Sequence, residues 1–356
     1  MSDYEYGNAR LRAMRSKLFT RHGLNVLSES GSVSGLIAGL AKTSYQRVIE
    51  SALTRSTGMD CVDDALRSDL IATIGKIGGF FHEDTRKLIG MILRTYDIAN
   101  LKTILRGLSK NVPSGEIIAL LLPIGELKIG ALKGLARLNT PREAIDVLAS
   151  QGLSFAEPLL KLRTEHPGAD IFEMELALDQ WHFRQARQNL WSEADGAALS
   201  YAFALEADLA NLLTVLRFVH VPREKDLLRE KFGSEDLSPL FIRAGRIPID
   251  TFVNAGRQES VSAAIQFFTG TPFEPALRTG FETYARSNRL SDIEKQLRRY
   301  RLVQMALLIQ KDSLGIGVAL GYIALKVSEI GNLRWIAQAI NMDLKAEAIQ
   351  AELESV

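Results

Sequence analysis

The sequence predicts an all-α protein, and three observations carry that expectation. Apolar residues recur at three- and four-residue steps, runs of strict alternation are hard to find, and one helical pattern occurs three times along the chain. The first element is a basic helical segment near the start, with Arg10, Arg12, Arg15, Lys17 and Arg21. Such a run is ordinarily a solvated helix face, and the first four residues are also candidates for contact with a partner. Next, Ser28 to Gly35 reads as a flexible loop because four of its eight residues are serine and two are glycine. Leu70, Ile71, Ile74 and Ile77 then mark the apolar face of a helix, as do Leu297, Tyr300, Leu302, Met305 and Leu307 further on. Pro113-Ser-Gly115, His166-Pro-Gly168, Gly245-Arg-Ile-Pro248 and Gly270-Thr-Pro272 punctuate the helical stretches. A last helix is expected from Leu344 to Leu353.

The repeated pattern aligns without gaps. Asp97-Ile-Ala-Asn100-Leu101-Lys-Thr-Ile-Leu-Arg106 matches Asp208-Leu-Ala-Asn211-Leu212-Leu-Thr-Val-Leu-Arg217 and, more loosely, Glu329-Ile-Gly-Asn332-Leu333-Arg-Trp-Ile-Ala-Gln338. A second landmark lies upstream of each copy: Glu175-x-x-Leu178-x-x-Trp181, Glu294-x-x-Leu297-x-x-Tyr300 and a fainter Asp63-x-x-Leu66. From its leucine to the repeat asparagine the distances are 33, 35 and 34 residues respectively. A third landmark, Leu122-Pro-Ile-Gly125-Glu-Leu-Lys-Ile129 and Ile242-Arg-Ala-Gly245-Arg-Ile-Pro-Ile249, follows the first two copies and reads as a turn into an amphipathic helix.

Repeats of over 100 residues are too long for tetratricopeptide or ankyrin arrays. They predict three similar helical-bundle domains, at 1–137 (with the N-terminal segment), 138–256 and 257–356, arranged with pseudo-threefold symmetry. In each signature helix an apolar stripe is expected, such as Ile98, Leu101, Leu105 and Leu108, or Leu209, Leu212, Leu216 and Val219. Asn100, Asn211 and Asn332 sit at the stripe's edge, where each is expected to hydrogen-bond a neighbouring helix and fix its register. Asp97 and Arg106 read as surface or inter-helix pairs.

Residue types that would carry chemistry are present but not in working patterns. His22, His82, His166, His182 and His220 include no pair spaced three or four residues apart, and Cys61 is the only cysteine, so neither a zinc-ligand spacing nor an internal disulfide is expected. Gly35-Leu-Ile-Ala-Gly39-Leu-Ala-Lys42-Thr43 imitates a phosphate loop without its Gly-Lys-Ser/Thr ending. No nucleophile elbow or kinase set is found, so no catalytic residue, metal or cofactor is expected. With 43 basic and 42 acidic residues the net charge is +1, which lacks the basic excess that phosphate neutralisation demands of a nucleic-acid binder. The uncharged run from Leu314 to Leu325 is too short to span a bilayer, and the start lacks the apolar core of a secretory signal, so a cytoplasmic chain is expected.

Two segments carry a family resemblance. Tyr6-Gly-Asn-Ala-Arg10-Leu-Arg-Ala-Met-Arg15-Ser-Lys17 resembles the N-terminal signature of the C subunits of A/V-type rotary ATPases, relatives of the eukaryotic d subunits. Tyr96-Asp97-Ile-Ala-Asn100-Leu101-Lys-Thr-Ile-Leu-Arg106 is similar to the family's second block. The third copy departs from that block at Glu329, Gly331 and Gln338. The resemblance implies a funnel of three helical domains on the cytoplasmic face of the membrane. Its implied role is non-catalytic: a central-stalk socket that receives the axle subunits (D and F type), rests on the proteolipid ring, and passes torque between ATP turnover and proton or sodium flow. On the residues alone two other readings stay open: a cytosolic helical-repeat adaptor unrelated to ATPases, and an all-helical metal-dependent hydrolase assembled from scattered acids and histidines.

Overall fold

The computed structural model describes residues 4–190, 196–221 and 236–354 of the chain, and among them every regular element is a helix. In chain order these are α1 (Tyr4–Arg15), α2 (Arg21–Ser28), α3 (Val33–Leu40), α4 (Gln46–Leu53), α5 (Gly58–Ile77), α6 (Glu83–Ser109), α7 (Ser114–Leu120), α8 (Ile129–Ala136), α9 (Pro141–Ser150) and α10 (Ala156–Glu165). They continue with α11 (Ile171–Leu190), α12 (Gly196–His220), α13 (Ile249–Gly256), α14 (Val261–Ile265), α15 (Glu274–Ser287), α16 (Ser291–Lys311), α17 (Gly317–Asn341) and α18 (Ala346–Glu352). Short 3₁₀ turns stand at Gly78–Phe80, Ser238–Leu240 and Gln266–Phe268.

Local chemistry explains many of the boundaries. Thr20, Ser32, Thr140 and Ser260 each accept a hydrogen bond from a backbone N–H of the turn they open, at Gly23, Gly35, Glu143 and Ala263. At α9 Glu143 also accepts from the N–H of Asn139, the residue before the cap, and Pro141 takes the first helical position, where no donor is needed. Asp170 and Glu173 exchange a reciprocal pair of bonds ahead of α11. Asn288 closes α15 in the left-handed region at φ 52°. The cap at Ser32 also narrows one expectation: of Ser28–Gly35, Ser28 and the last three residues are helical. α2 runs through Ser28 and α3 begins at Val33, so only Glu29–Ser32 lie between them.

Two compact units divide the chain. The first comprises Met1–Asp97, Leu122–Ile129 and Leu302–Val356. Its axis is α17, which packs against α1, α2, α3, α5 and α18. From Val318 to Ala324 this helix is buried on every face, so its sequence is apolar all round. Gly321 lets α16 approach: a Cβ there would lie 2.8 Å from the Met305 carbonyl oxygen. The second unit comprises Ile98–Leu121 and Gly130–Arg301. There α12 lies against α11, α13 and α14. Leu212, Val215 and Leu216 join Phe252, Phe268 and Leu297 in one core, with the Phe252 ring 5.6 Å from Phe241 and 5.5 Å from Phe268.

Candidate functional site

The three signature segments lie on the long helices α6, α12 and α17, and their leucines Leu101, Leu212 and Leu333 are buried to 1% exposure or less. Their polar residues are the candidate site, because a buried acid or amide must be matched by a specific partner. Asp97, expected in a surface or inter-helix pair, is instead fully buried and bonded to loop backbone. Its carboxylate accepts from the backbone N–H groups of Glu126 and Leu127 at 2.7 and 3.0 Å. On α12, Asp208 accepts from Arg246 and Ile247 at 2.9 and 3.2 Å. In each case the donors are the two residues after a glycine, and a Cβ at Gly125 or Gly245 would overlap the carboxylate. The turn is therefore built by an acid and a glycine together, one supplying the acceptor and the other the room. Burial pushes the Asp97 carboxyl up to about 6 against the two N–H bonds that favour its charged form, and raises Asp208 for the same reason.

The asparagines do related work. Asn211 donates from Nδ2 to the Ile242 carbonyl at 3.0 Å and accepts from the Ile242 N–H at 2.7 Å, so one amide satisfies both backbone groups. Asn332 repeats the pattern on Glu354, donating at 2.5 Å and accepting at 2.8 Å. Both partners lie outside the helices, so the amides fix non-helical backbone rather than the register of a neighbouring helix. Asn100 is buried as well.

Glu329, the third acid, is used differently. Its Oε2 accepts from the Phe19 N–H at 2.5 Å and its Oε1 from the Tyr45 hydroxyl at 2.6 Å. Lys326, one turn earlier, sets its ammonium 2.9 Å from Glu329, 2.7 Å from Asp69 and 2.7 Å from the Tyr45 hydroxyl. Lys326 and Glu329 are each 5% exposed, so a lysine–carboxylate cluster sits inside the first unit. Burial, followed by the Glu329 charge, holds the Tyr45 phenol well above its usual range and keeps it a neutral donor. Tyr45, Asp69 and Lys326 all lie outside the repeated signature. Lys326 is nevertheless visible as the charge that ends the apolar run to Leu325.

The arginines of the signatures, exposed at Arg106 and Arg217 and half-buried at Arg334, pair in an ordered way. Arg106 grips Glu175 through Nε and Nη2 at 2.7–3.0 Å, and Arg217 grips Glu294 at 2.8 and 2.9 Å. Each therefore joins a signature to the upstream landmark of the next copy. From the third signature Arg334 faces Asp63, in the landmark of the first copy, at 3.8 Å. At the N-terminus, Arg10, Arg12, Arg15 and Lys17 are exposed. Arg10 lies over the rings of Tyr6 and Phe80, and Arg12 donates to the Ser313 carbonyl.

Chemically this arrangement positions backbone. The carboxylates of Asp97, Asp208 and Glu329 accept hydrogen bonds from backbone or from Tyr45, and His182 is packed between Phe183 and Phe203. Among the described residues no group of three His, Cys, Asp or Glu side chains is arranged to hold a metal ion, and no helix is long and apolar enough to cross a membrane.

The family model described as "ATP synthase (C/AC39) subunit" matches residues 7–352. The C subunit of the A-type ATP synthase of Methanocaldococcus jannaschii is 27% identical over 365 residues, covering 100% of this chain and 87% of that protein. Its counterpart in Pyrococcus abyssi is 27% identical over 350 residues, covering 98% and 89%. The C subunit of the V-type ATP synthase of Deinococcus radiodurans is 24% identical over 359 residues, covering 99% and 92%.

Proposed function

Because the chain belongs to the ATP synthase (C/AC39) subunit family, we propose that it is the non-catalytic central-stalk subunit of a rotary A/V-type ATPase. In this reading it is a socket between the axle subunits (D and F type) and the membrane proteolipid ring, on the cytoplasmic face, and passes torque between ATP turnover and ion transport. The observation that carries the reading is the use of the signature polar groups. Asp97, Asp208, Asn211 and Asn332 all hold backbone outside the helices in place. A part that transmits force needs its loops fixed to its helices, and hydrogen-bonded buried polar groups supply that rigidity.

Residues 1–137, 138–256 and 257–356 are proposed as three similar helical domains. The recurrence of the acid–glycine turn and of the asparagine clamp supports this, as do ion pairs linking copy one to two, two to three and three to one. Arg10, Arg12, Arg15 and Lys17 are proposed as a partner contact, since all four residues are exposed on or just after α1. The test is an affinity pull-down of the tagged chain from gently solubilised host membranes, with mass spectrometry of the recovered proteins. Proteolipid, axle and catalytic subunits are expected together. Soluble partners alone would replace this reading with the helical-repeat adaptor. Charge reversal at Arg12 and Arg15 is expected to reduce recovery of the complex more than it lowers the melting temperature of the chain, since only Arg12 gives up a contact within the fold, to the Ser313 carbonyl.

A further inference from the structure

We propose that the second unit carries a binding site for a polyphosphate-bearing anion, in the groove between α11 and the loop from Ser238 to Ala244. The groove encloses about 490 Å³ and is lined by Phe183 and Phe241 at its floor and by Arg184, Arg187 and Arg243 at its rim. That volume is within the ordinary range for a small-molecule site. Among the described residues that line it there is no carboxylate. Guanidinium groups suit phosphate because their planar N–H pairs match two oxygens at once.

The site is held in shape before any ligand arrives. On α11, Phe183, Arg184 and Arg187 share one face at helical spacing. Arg187 ties that face to the loop by donating to the Arg243 carbonyl at 3.2 Å, and Gln180 donates to the Pro239 carbonyl at 2.7 Å. The loop is clamped on both sides of Arg243, by Asn211 on Ile242 and by Asp208 on Arg246 and Ile247. Arg243 is thus presented from a fixed backbone, which lowers the ordering cost of binding. Arg184 and Arg243 are exposed. The carboxylate of Asp236, on whose charge Arg243 acts more weakly than Ser238, is already engaged by the Ser238 N–H and hydroxyl at 2.9 and 2.8 Å.

The repeat supplies an internal control. In the register of the third landmark, the position of Arg243 is Pro123 in the first copy. In the register of Leu66, Leu178 and Leu297, Arg184 corresponds to Ala72 and Val303, and Arg187 to Gly75 and Ala306. The other copies build their helices and the Asp97 turn without these arginines, so folding does not account for Arg184 and Arg243 at one groove, while Arg187 also ties the loop.

The test is calorimetric titration of the full chain with tripolyphosphate at low ionic strength, beside the variants Arg184→Glu/Arg243→Glu and, as an equal charge change elsewhere, Arg137→Glu/Arg142→Glu. Saturable one-to-one binding is expected, weakened at least about tenfold in the groove variant and unchanged in the control. Thermal melts should coincide for all three proteins, because the four arginines are exposed. Parallel titrations identify the source of the phosphate. Tighter binding of ATP than of tripolyphosphate points to a nucleotide, and binding to phosphatidic acid vesicles that tripolyphosphate displaces points to a lipid headgroup. Absence of saturable tripolyphosphate binding, equal loss in both variants, or capture of an acidic protein that tripolyphosphate does not displace would overturn the proposal.

Discussion

Asp208 and Glu329 occupy the same position in the repeated signature, one in the second unit and one in the first, yet they hold different things. Asp208 ends in a bare carboxylate against two backbone N–H groups beside Gly245. Glu329 has one more methylene, reaches the Phe19 N–H and the Tyr45 hydroxyl, and is neutralised by Lys326. A buried acid can be satisfied by peptide dipoles or by a cation, and the two solutions fail differently. Peptide donors remain near when the acid is removed and can turn to water, whereas a cation that loses its partner, or a carboxylate that loses its cation, is left charged in a poor solvent.

The largest effect should therefore come from the first unit. Lys326→Ala leaves Glu329 and Asp69 facing one another without the ammonium, and a loss of about 3–5 kcal/mol is expected from chemical denaturation. Lys326→Met, with a similar stem, should lose nearly as much; a near-normal transition midpoint for either would show that the cluster is not held charged. In the second unit, Asn211→Ala orphans the Ile242 N–H and carbonyl, and about 1–3 kcal/mol is expected, with the loop near Ile242 losing amide-exchange protection first.

A third comparison turns on pH. The Asp97 carboxyl sits at about 6 in the folded chain, above the 3.8 of an unperturbed aspartate. The folded state thus binds this proton more tightly than the unfolded state. Its contribution is fully present below about pH 4 and is lost as pH rises through about 6. The stability of the parent minus that of Asp97→Asn should accordingly fall between those values and then level off, and a flat difference would contradict the burial argument. The smallest effect belongs to the exposed pairs. Arg217→Ala removes the contact to Glu294 with the arginine side chain 59% exposed, and at most about 1 kcal/mol is expected, shrinking further in high salt.

The all-helical class was legible from periodicity, and the burial of Leu101, Leu212 and Leu333 followed from the stripes because helical spacing dictates which residues share a face. The signature positions were legible too, but not their partners. Sequence spacing places Asp97 on a helix; it does not say that Glu126 and Leu127 will present their N–H groups to it. Gly125 and Gly245 stood in register in the third landmark and were the available hint, since a glycine kept at one point of a turn marks a close approach. Tyr45 and Asp69 left no trace, because their pairing with Lys326 joins residues over 250 positions apart in the chain. The serine-rich stretch holds a loop shorter than expected, because serine is both a loop former and a helix cap, and Ser32 caps α3.

The close fit of Gly245 against Asp208 has a consequence for inheritance. A carboxylate lies where a methyl group at position 245 would have to go, so the two sites form a single locus in the fitness landscape. Alanine at 245 is forbidden while aspartate stands at 208, and becomes tolerable once that side chain is shortened. A double-mutant cycle on Gly245→Ala and Asp208→Ala should show a combined loss well below the sum of the two, and simple additivity would mean the sites drift independently. Gly125 and Asp97 obey the same constraint, so lineages of this chain are expected to change these residues in pairs or not at all.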